Sequence, residues 1–180
     1  TPAGAAAALA WFGADPHANP TAAALTEGFP TAPEGEPEAV LPFSSAHRFS
    51  GVQLPGAGAW LLGAPEALLA PSALADPGRY DAARARAREL AASGQRTLVL
   101  SRARSLVRGR DGKPAQELPG DQEPVLLVTF REQVRADARK TLEFFAQQGI
   151  AAKVISGDNP ATVAAAARQR LAQRPGGVEA

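Results

Sequence analysis

Residues 156–160, Ser-Gly-Asp-Asn-Pro, have the types and the setting of a phosphate site. An apolar run over 151–155 predicts a buried strand before them, and an alanine-rich run over 161–168 predicts a helix after them. The glycine lets the backbone approach a ligand, while the Ser156 hydroxyl and the unpaired N–H groups of the helix start can donate to an anion. Alone, the motif is weak evidence, because strand, Gly-Asp turn and helix also occur in α/β proteins that bind no phosphate.

Residues 42–50, Pro-Phe-Ser-Ser-Ala-His-Arg-Phe-Ser, combine an aromatic ring with a cation. The Phe43 ring can stack on a nucleotide base, and the Arg48 guanidinium can form charge-assisted bonds to phosphate oxygens. Arg96 in a later predicted strand offers the same chemistry. Taken singly, Phe43 is more often a core residue and each arginine a surface charge, so these alternatives stay open.

A turn at Gly63 and Ala64 follows an apolar segment and precedes Pro65. Because Gly63 has no side chain, it would let a ribose or a base edge approach the backbone. The alternative is an ordinary strand-to-helix turn, since proline is favoured in the first turn of a helix.

Composition excludes several classes of site. The 180 residues carry 19 basic and 18 acidic side chains, a net charge of +1, which argues against nucleic acid or a membrane surface as the main partner. Cysteine is absent and histidine occurs twice, so we expect no metal site. No apolar run is long enough to span a membrane, and no secretory signal is visible. Because the chain also lacks methionine, we expect a piece of a longer protein.

Periodicity and turn residues predict the elements of the first 122 residues. The predicted helices cover 5–14, 20–27, 65–69 and 78–93. The predicted strands are 51–54, 59–62 and 96–101, the first two joined as a hairpin.

After Pro124 the pattern changes to an apolar strand over 125–130, a helix over 136–148 and a second apolar strand over 150–155. Strand, helix and strand with apolar runs predict a parallel βαβ unit. The fold class is therefore α/β in the broad sense (α+β): an antiparallel sheet flanked by helices over 1–122, then an incomplete parallel unit over 123–180.

Four segments resemble the P-type cation-transporting ATPases, in that family's order. Residues 42–50 resemble Phe-Ser-x-x-x-(Lys/Arg), and 63–66 match Lys-Gly-Ala-Pro-Glu with Leu62 in place of the lysine. Residues 94–100 resemble Gly-x-Arg-Val-Leu-Ala. Residues 135–137 and 149–162 resemble the run from Arg-Pro-(Asp/Glu) through Gly-Ile to Thr-Gly-Asp-Asn.

The resemblance implies a nucleotide-binding domain over 1–122 and the C-terminal part of an incomplete phosphorylation domain, similar to the haloacid dehalogenases (HAD-like), over 123–180. It implies that Ser156 donates to the transferred phosphoryl group and that Asp158 lines the interface where nucleotide is delivered. For ATP it implies binding through Phe43, Ser44, Arg48, Gly63, Ala64 and Arg96. With Leu62 in place of lysine, we expect weaker ATP binding.

The implied function is presentation of ATP, with its Mg²⁺, to an aspartate in another part of a pump. The family's Asp-Lys-Thr-Gly-Thr and magnesium-binding Gly-Asp-Gly-x-Asn-Asp motifs do not occur here, so we expect this chain alone to be inactive. The implied partners are ATP and the remaining phosphorylation, actuator and transmembrane domains. The implied location is the cytoplasmic face of a membrane protein, with this piece itself soluble. The resemblance favours calcium- or magnesium-type pumps over the heavy-metal class.

Two other functions remain open. The first is a HAD-like phosphatase using Ser156, which would need an upstream Asp-x-Asp nucleophile that the sequence lacks. The second is a regulatory domain that no longer binds nucleotide, which His47 and Leu62 favour because the family often has charged residues there.

Overall fold

The computed structural model describes residues 4–130, 141, 144, 145 and 147–150. Its helices in this part are α1 (Ala5–Ala14), α2 (Pro20–Ala23), α3 (Leu25–Gly28), α4 (Pro65–Leu68) and α5 (Asp81–Ala92). Its strands in this part are β1 (Ala39–Ser44), β2 (Phe49–Leu54), β3 (Gly58–Gly63), β4 (Arg96–Ala103) and β5 (Glu123–Phe130). Short 3₁₀ turns cover Pro71–Ala73 and Gly78–Tyr80.

The five strands form one sheet in chain order, β1-β2-β3-β4-β5. The pairs β1–β2, β2–β3 and β3–β4 are antiparallel. Because antiparallel neighbours reverse direction, the end of β1, the start of β2 and the end of β3 lie together at one end of the sheet. The predicted class, an antiparallel sheet with helices, is confirmed.

One face of the sheet carries a core cluster. Strand residues of this face alternate with residues of the other face, as the two-residue period of a strand requires. Phe49 pairs with Gly63, and Leu61 pairs with Ser101, on this side. The buried members of the cluster are Leu41, Phe49, Ala59, Leu61, Leu68, Leu69, Ala87, Val99, Ala103 and Leu106.

The opposite face is buried as well. Val52, Trp60, Leu62 and Leu100 alternate with the first set and are almost inaccessible to solvent. The start of α1 lies against this face, since a Cβ added at Gly4 would be 3.0 Å from Cζ2 of Trp60. Burying apolar side chains on both sides contributes most of the stability of such a sheet.

The hairpin of β2 and β3, the helix start at Pro65 and the strands at 96 and 125 agree with the sequence predictions. The helix predicted over 20–27 is in fact two short helices, α2 and α3, with Ala24 between them. The helix predicted over 78–93 starts with a 3₁₀ turn and becomes α-helical at Asp81.

The predicted βαβ unit falls mostly outside the described residues. The first strand of this unit is β5, which lies at the edge of the five-stranded sheet. Its helix is described only at Thr141, Phe144, Phe145 and Gln147, which are helical. The strand over 151–155, Ser156 and Asp158 lie outside the described residues, and the boundary at 122/123 stays a prediction.

The described residues divide into two units, one of residues 4–87 and 97–128 and one that includes Arg88–Arg96. Phe43, Ser44, Arg48, Gly63 and Ala64 belong to the first unit. Arg96 belongs to the second unit, so its surroundings are described separately from those of the other five residues.

Candidate functional site

The loop between β1 and β2 is closed by its own hydrogen bonds. The Arg48 N–H donates to the Ser44 carbonyl at 2.6 Å, and the His47 N–H donates to the Ser44 hydroxyl oxygen at 3.4 Å. Ser44 Oγ also lies 3.1 Å from Nδ1 of His47. The hydroxyl of Ser44, a residue predicted to bind ATP, is therefore engaged within its own turn.

Arg48 has an unusual backbone conformation. Its φ angle is +60°, in the left-handed region that side chains other than glycine rarely adopt. The side chain is exposed, and among the described residues no ion pair holds its guanidinium. The turn thus points an arginine with no ion-pair partner in the described part of the chain toward solvent, at the end of the sheet.

Phe43 lies where the pairing of β1 and β2 shifts. Leu41 pairs with Gly51 and Ser44 pairs with Phe49, so Pro42 and Phe43 together face the single residue Ser50. Two residues opposite one are the mark of a β-bulge, a feature that redirects side chains at sheet edges. Phe43 is 50% exposed, in contrast to the buried Phe49. It is therefore a surface aromatic ring, and the alternative that it belongs to the core is excluded.

Gly63 and Ala64 lie directly against the β1–β2 loop. The Ala64 N–H donates to the Arg48 carbonyl at 2.9 Å. A Cβ at Gly63 would lie 2.5 Å from Cβ of Phe49 and 2.7 Å from the Arg48 oxygen. Close approach of β2 therefore requires glycine at position 63, whatever ligand the site takes. The segments 42–50 and 63–66, which the sequence only places in order, are in contact.

Leu62, at the place of the family's lysine, lies in the core. It is 3% exposed, and its partners across the sheet are Ser50 and Leu100. The Ser50 hydroxyl donates to the Leu62 carbonyl at 3.4 Å. A lysine at this position would need to carry its ammonium group out of an apolar setting.

Arg96 is the first residue of β4 and is half-buried. It already takes part in an interaction within the chain. Three residues later, Val99 pairs with Gly63. The role predicted for Arg96 stays a prediction, as do those of Ser156 and Asp158.

One contact at this end of the sheet was not foreseen from the sequence. The Gln116 side chain donates from Nε2 to the Pro42 carbonyl at 2.9 Å, across 74 positions of the chain. No local pattern marks a glutamine for such a contact, because its partner is a main-chain carbonyl in a bulge.

The sequence is similar to several curated ATPases. The chain is 39% identical over 154 residues to the Calcium-transporting ATPase CtpE of Mycobacterium tuberculosis, covering 86% of this chain and 18% of that protein. The CtpE protein of Mycolicibacterium smegmatis is 38% identical over 153 residues, covering 85% of this chain and 18% of that protein. A probable cation-transporting ATPase of Streptococcus pneumoniae is 33% identical over 151 residues, covering 84% of this chain and 18% of that protein. No family model matches the chain.

The chain is related to the P-type cation-transporting ATPases. The resemblance stated from the four segments is thereby confirmed. The chain spans 18% of the length of these relatives.

Two searches of the described residues concern membrane spans and metal sites. No helix among residues 4–130 and the described positions of 141–150 combines the length and apolar character needed to cross a membrane. In the same residues, no three His, Asp or Glu side chains gather where they could hold a metal ion.

Proposed function

We propose that this segment is the ATP-binding part of a P-type cation-transporting ATPase, and that ATP binds at the end of the sheet formed by β1, β2 and β3. The observation that carries the proposal is the contact between the 42–50 and 63–66 segments through Arg48 and Ala64. Two segments that resemble the family's nucleotide-binding motifs thus form one surface.

The side chains on this surface fit the chemistry of ATP. The half-exposed Phe43 ring offers a face for adenine, and stacking of a base on an aromatic side chain contributes about 1–3 kcal/mol. The exposed Arg48 guanidinium can form paired bonds to phosphate oxygens. Ser44 and Ala64 are half-buried beside them, and the buried Gly63 is included from its place in the 63–66 motif. Arg96 is proposed as a further phosphate ligand, from its place in the 94–100 motif.

Delivery of the phosphoryl group is the second half of the proposal. ATP would bind with Mg²⁺, and an aspartate outside this chain would receive the γ-phosphoryl group by in-line transfer, with ADP as the leaving group. Residues 123–180 would then be part of a HAD-like phosphorylation domain, in which Ser156 donates to the transferred group and Asp158 lines its interface. The actuator and transmembrane domains are the proposed partners, and the cytoplasmic side of the membrane is the proposed location.

The names of the relatives suggest the cation. Two relatives named above are calcium-transporting ATPases, so we propose calcium for the parent pump of this chain. This proposal depends on sequence similarity alone, since the ion's ligands are expected in transmembrane helices.

Calorimetric titration of the chain with ATP, with and without Mg²⁺, tests nucleotide binding. We expect Phe43→Ala to weaken binding about tenfold or more, because it removes the stacking face. Phe43→Trp should retain binding, since it keeps an aromatic face.

Val40→Ala is the matched control, because Val40 is also an exposed apolar residue of β1 but lies outside the motif. Folded wild-type chain that binds no ATP would contradict the proposal and favour the regulatory domain without nucleotide. Equal losses in Phe43→Ala and Val40→Ala would contradict the adenine position.

A further inference from the structure

We propose that Gln116 is a positioning residue that fixes the Pro42–Phe43 bulge and, through it, the affinity for nucleotide. The effect of Gln116 on nucleotide affinity rests on the proposed function. Gln116 itself belongs to none of the four segments that resemble the P-type ATPases.

The bulge has few other main-chain restraints. β1 is the edge strand of the sheet, and β2 is its one pairing partner among the described residues. The pairing shifts between Leu41 and Ser44, and Pro42 has no N–H to donate. The bond from Nε2 of Gln116 to the Pro42 carbonyl therefore ties the bulge from outside the ladder.

Gln116 can act as a fixed point because the segment before it is anchored to the sheet. The Ala115 N–H donates to the Val107 carbonyl at 2.8 Å. The Leu106 N–H donates to Oε1 of Gln53 at 3.1 Å, and the Leu106 side chain is buried in the core cluster. The segment is thus held to β2, the strand that pairs with β1.

The oxygen of the Gln116 amide lies in the interior. This Oε1 atom has no hydrogen-bond partner among the described residues. A buried oxygen without a hydrogen-bond partner is unfavourable. The bond to Pro42 is the hydrogen bond that the described structure gives this side chain.

Gln122 provides a matched control from the same connection between β4 and β5. Its Nε2 donates to the carbonyls of Leu68 and Ala73, at 2.9 and 3.0 Å, and its Oε1 is also buried and unpaired in the described part of the chain. It therefore repeats the chemistry of Gln116 beside α4, away from the bulge.

The test measures three quantities on the full chain: the Kd for ATP, the thermal midpoint, and the amide NMR resonances of Phe43 and Ser44 without nucleotide. The variants are Gln116→Met, which keeps the length but removes the donor, Gln116→Glu, which sets a carboxylate against the Pro42 carbonyl, and Gln122→Met. We expect both Gln116 variants to move the two resonances and to weaken ATP binding about three- to tenfold, the effect of one lost hydrogen bond. Gln122→Met should lower the thermal midpoint more than Gln116→Met, and leave the resonances and the Kd unchanged.

The outcomes separate this proposal from the function on which it rests. Wild-type affinity in both Gln116 variants, or an equal loss in Gln122→Met, would overturn the positioning role. Wild-type chain without ATP binding would overturn the proposed function. The NMR resonances would then test whether Gln116 fixes the Pro42–Phe43 bulge. Unmoved resonances of Phe43 and Ser44 in the Gln116 variants would reject this role, and moved resonances would support it.

Discussion

The two hairpins that include β2 turn in different ways at opposite ends of the sheet. The turn from β2 to β3 uses glycines for its left-handed positions, Gly56 at φ +68° and Gly58 at φ +76°. The turn from β1 to β2 uses Arg48, whose φ is +60°. Among the described residues, the other positive φ angles belong to glycines. Glycine adopts this region without steric strain, whereas an arginine does not.

The difference indicates which turn is under a constraint beyond folding. A residue other than glycine in the left-handed region costs about 1–2 kcal/mol, and such strain persists where surrounding contacts enforce it. Arg48 is held on both sides, since its N–H donates to Ser44 and its carbonyl accepts from Ala64. The strained turn carries the candidate phosphate ligand, while the relaxed turn carries no candidate residue. Strain and candidate chemistry thus coincide at one end of the sheet.

Leu62→Lys should produce the largest effect, and it tests whether the end of β3 belongs to the core or to the ligand surface. Leu62 is 3% exposed, so an ammonium group there would be buried without a charged partner. We expect the free energy of unfolding to fall by about 3 kcal/mol or more in urea denaturation. Leu62→Met, which conserves volume, should lose less than about 1.5 kcal/mol.

A stable Leu62→Lys chain with tighter ATP binding would place the end of β3 on the ligand surface and not in the core. It would mean that the lysine reaches the nucleotide, as the resemblance to the family implies. In that case position 62 would join Phe43 and Arg48 on the ligand surface.

Gly63→Ala should have the next largest effect, because it forces apart the strained turn and the end of β3. The added Cβ would lie 2.5 Å from Cβ of Phe49 and 2.7 Å from the Arg48 carbonyl oxygen, closer than such atoms can approach. We expect a loss of about 2–3 kcal/mol in the free energy of unfolding, as for overpacking in a core.

Gly120→Ala is the control for this change. Its added Cβ would meet no atom within 4 Å, and its φ is not in the left-handed region. Urea unfolding curves for Gly63→Ala and Gly120→Ala under the same conditions compare their free energies of unfolding. Equal stability of the two would mean that Gly63 is not required for the contact with Arg48.

The hairpin of β2 and β3 could be predicted from sequence because its signals are local. Two apolar runs are joined by Pro-Gly-Ala-Gly at 55–58, and the turn length sets the register of the strands. That register places Gly63 opposite Phe49. Contact between the 42–50 and 63–66 segments therefore follows from a short turn, although the resemblance to the family, and not the pairing, suggested that both serve one site.

The rest of the site depends on contacts between distant parts of the chain. β1 was not predicted as a separate strand, because Pro42 and the bulge interrupt the two-residue alternation. The burial of Leu62 follows from packing on the face that α1 covers, and the Gln116–Pro42 bond joins residues 74 positions apart. Neither has a local signal, so neither could be predicted from a single sequence.

Arg48→Gly should have the smallest effect and gives the sharpest comparison of the two turns. It makes the β1–β2 turn chemically similar to the glycine turn of β2 and β3. Removing the strain should raise the free energy of unfolding by about 0.5–1 kcal/mol, after the extra entropy of glycine in the unfolded chain is included. Removing the exposed charge should weaken ATP binding about threefold, a modest change because water and salt screen the contact.

Arg48→Ala separates the two effects, because it removes the guanidinium but keeps a side chain at the left-handed position. It should lose ATP affinity to the same extent as Arg48→Gly, without the gain in stability. If both variants were more stable than wild type, the side chain and not the backbone conformation would be the source of the strain. If Arg48→Gly gained stability and bound ATP as tightly as wild type, the strained turn would have no part in holding the phosphates.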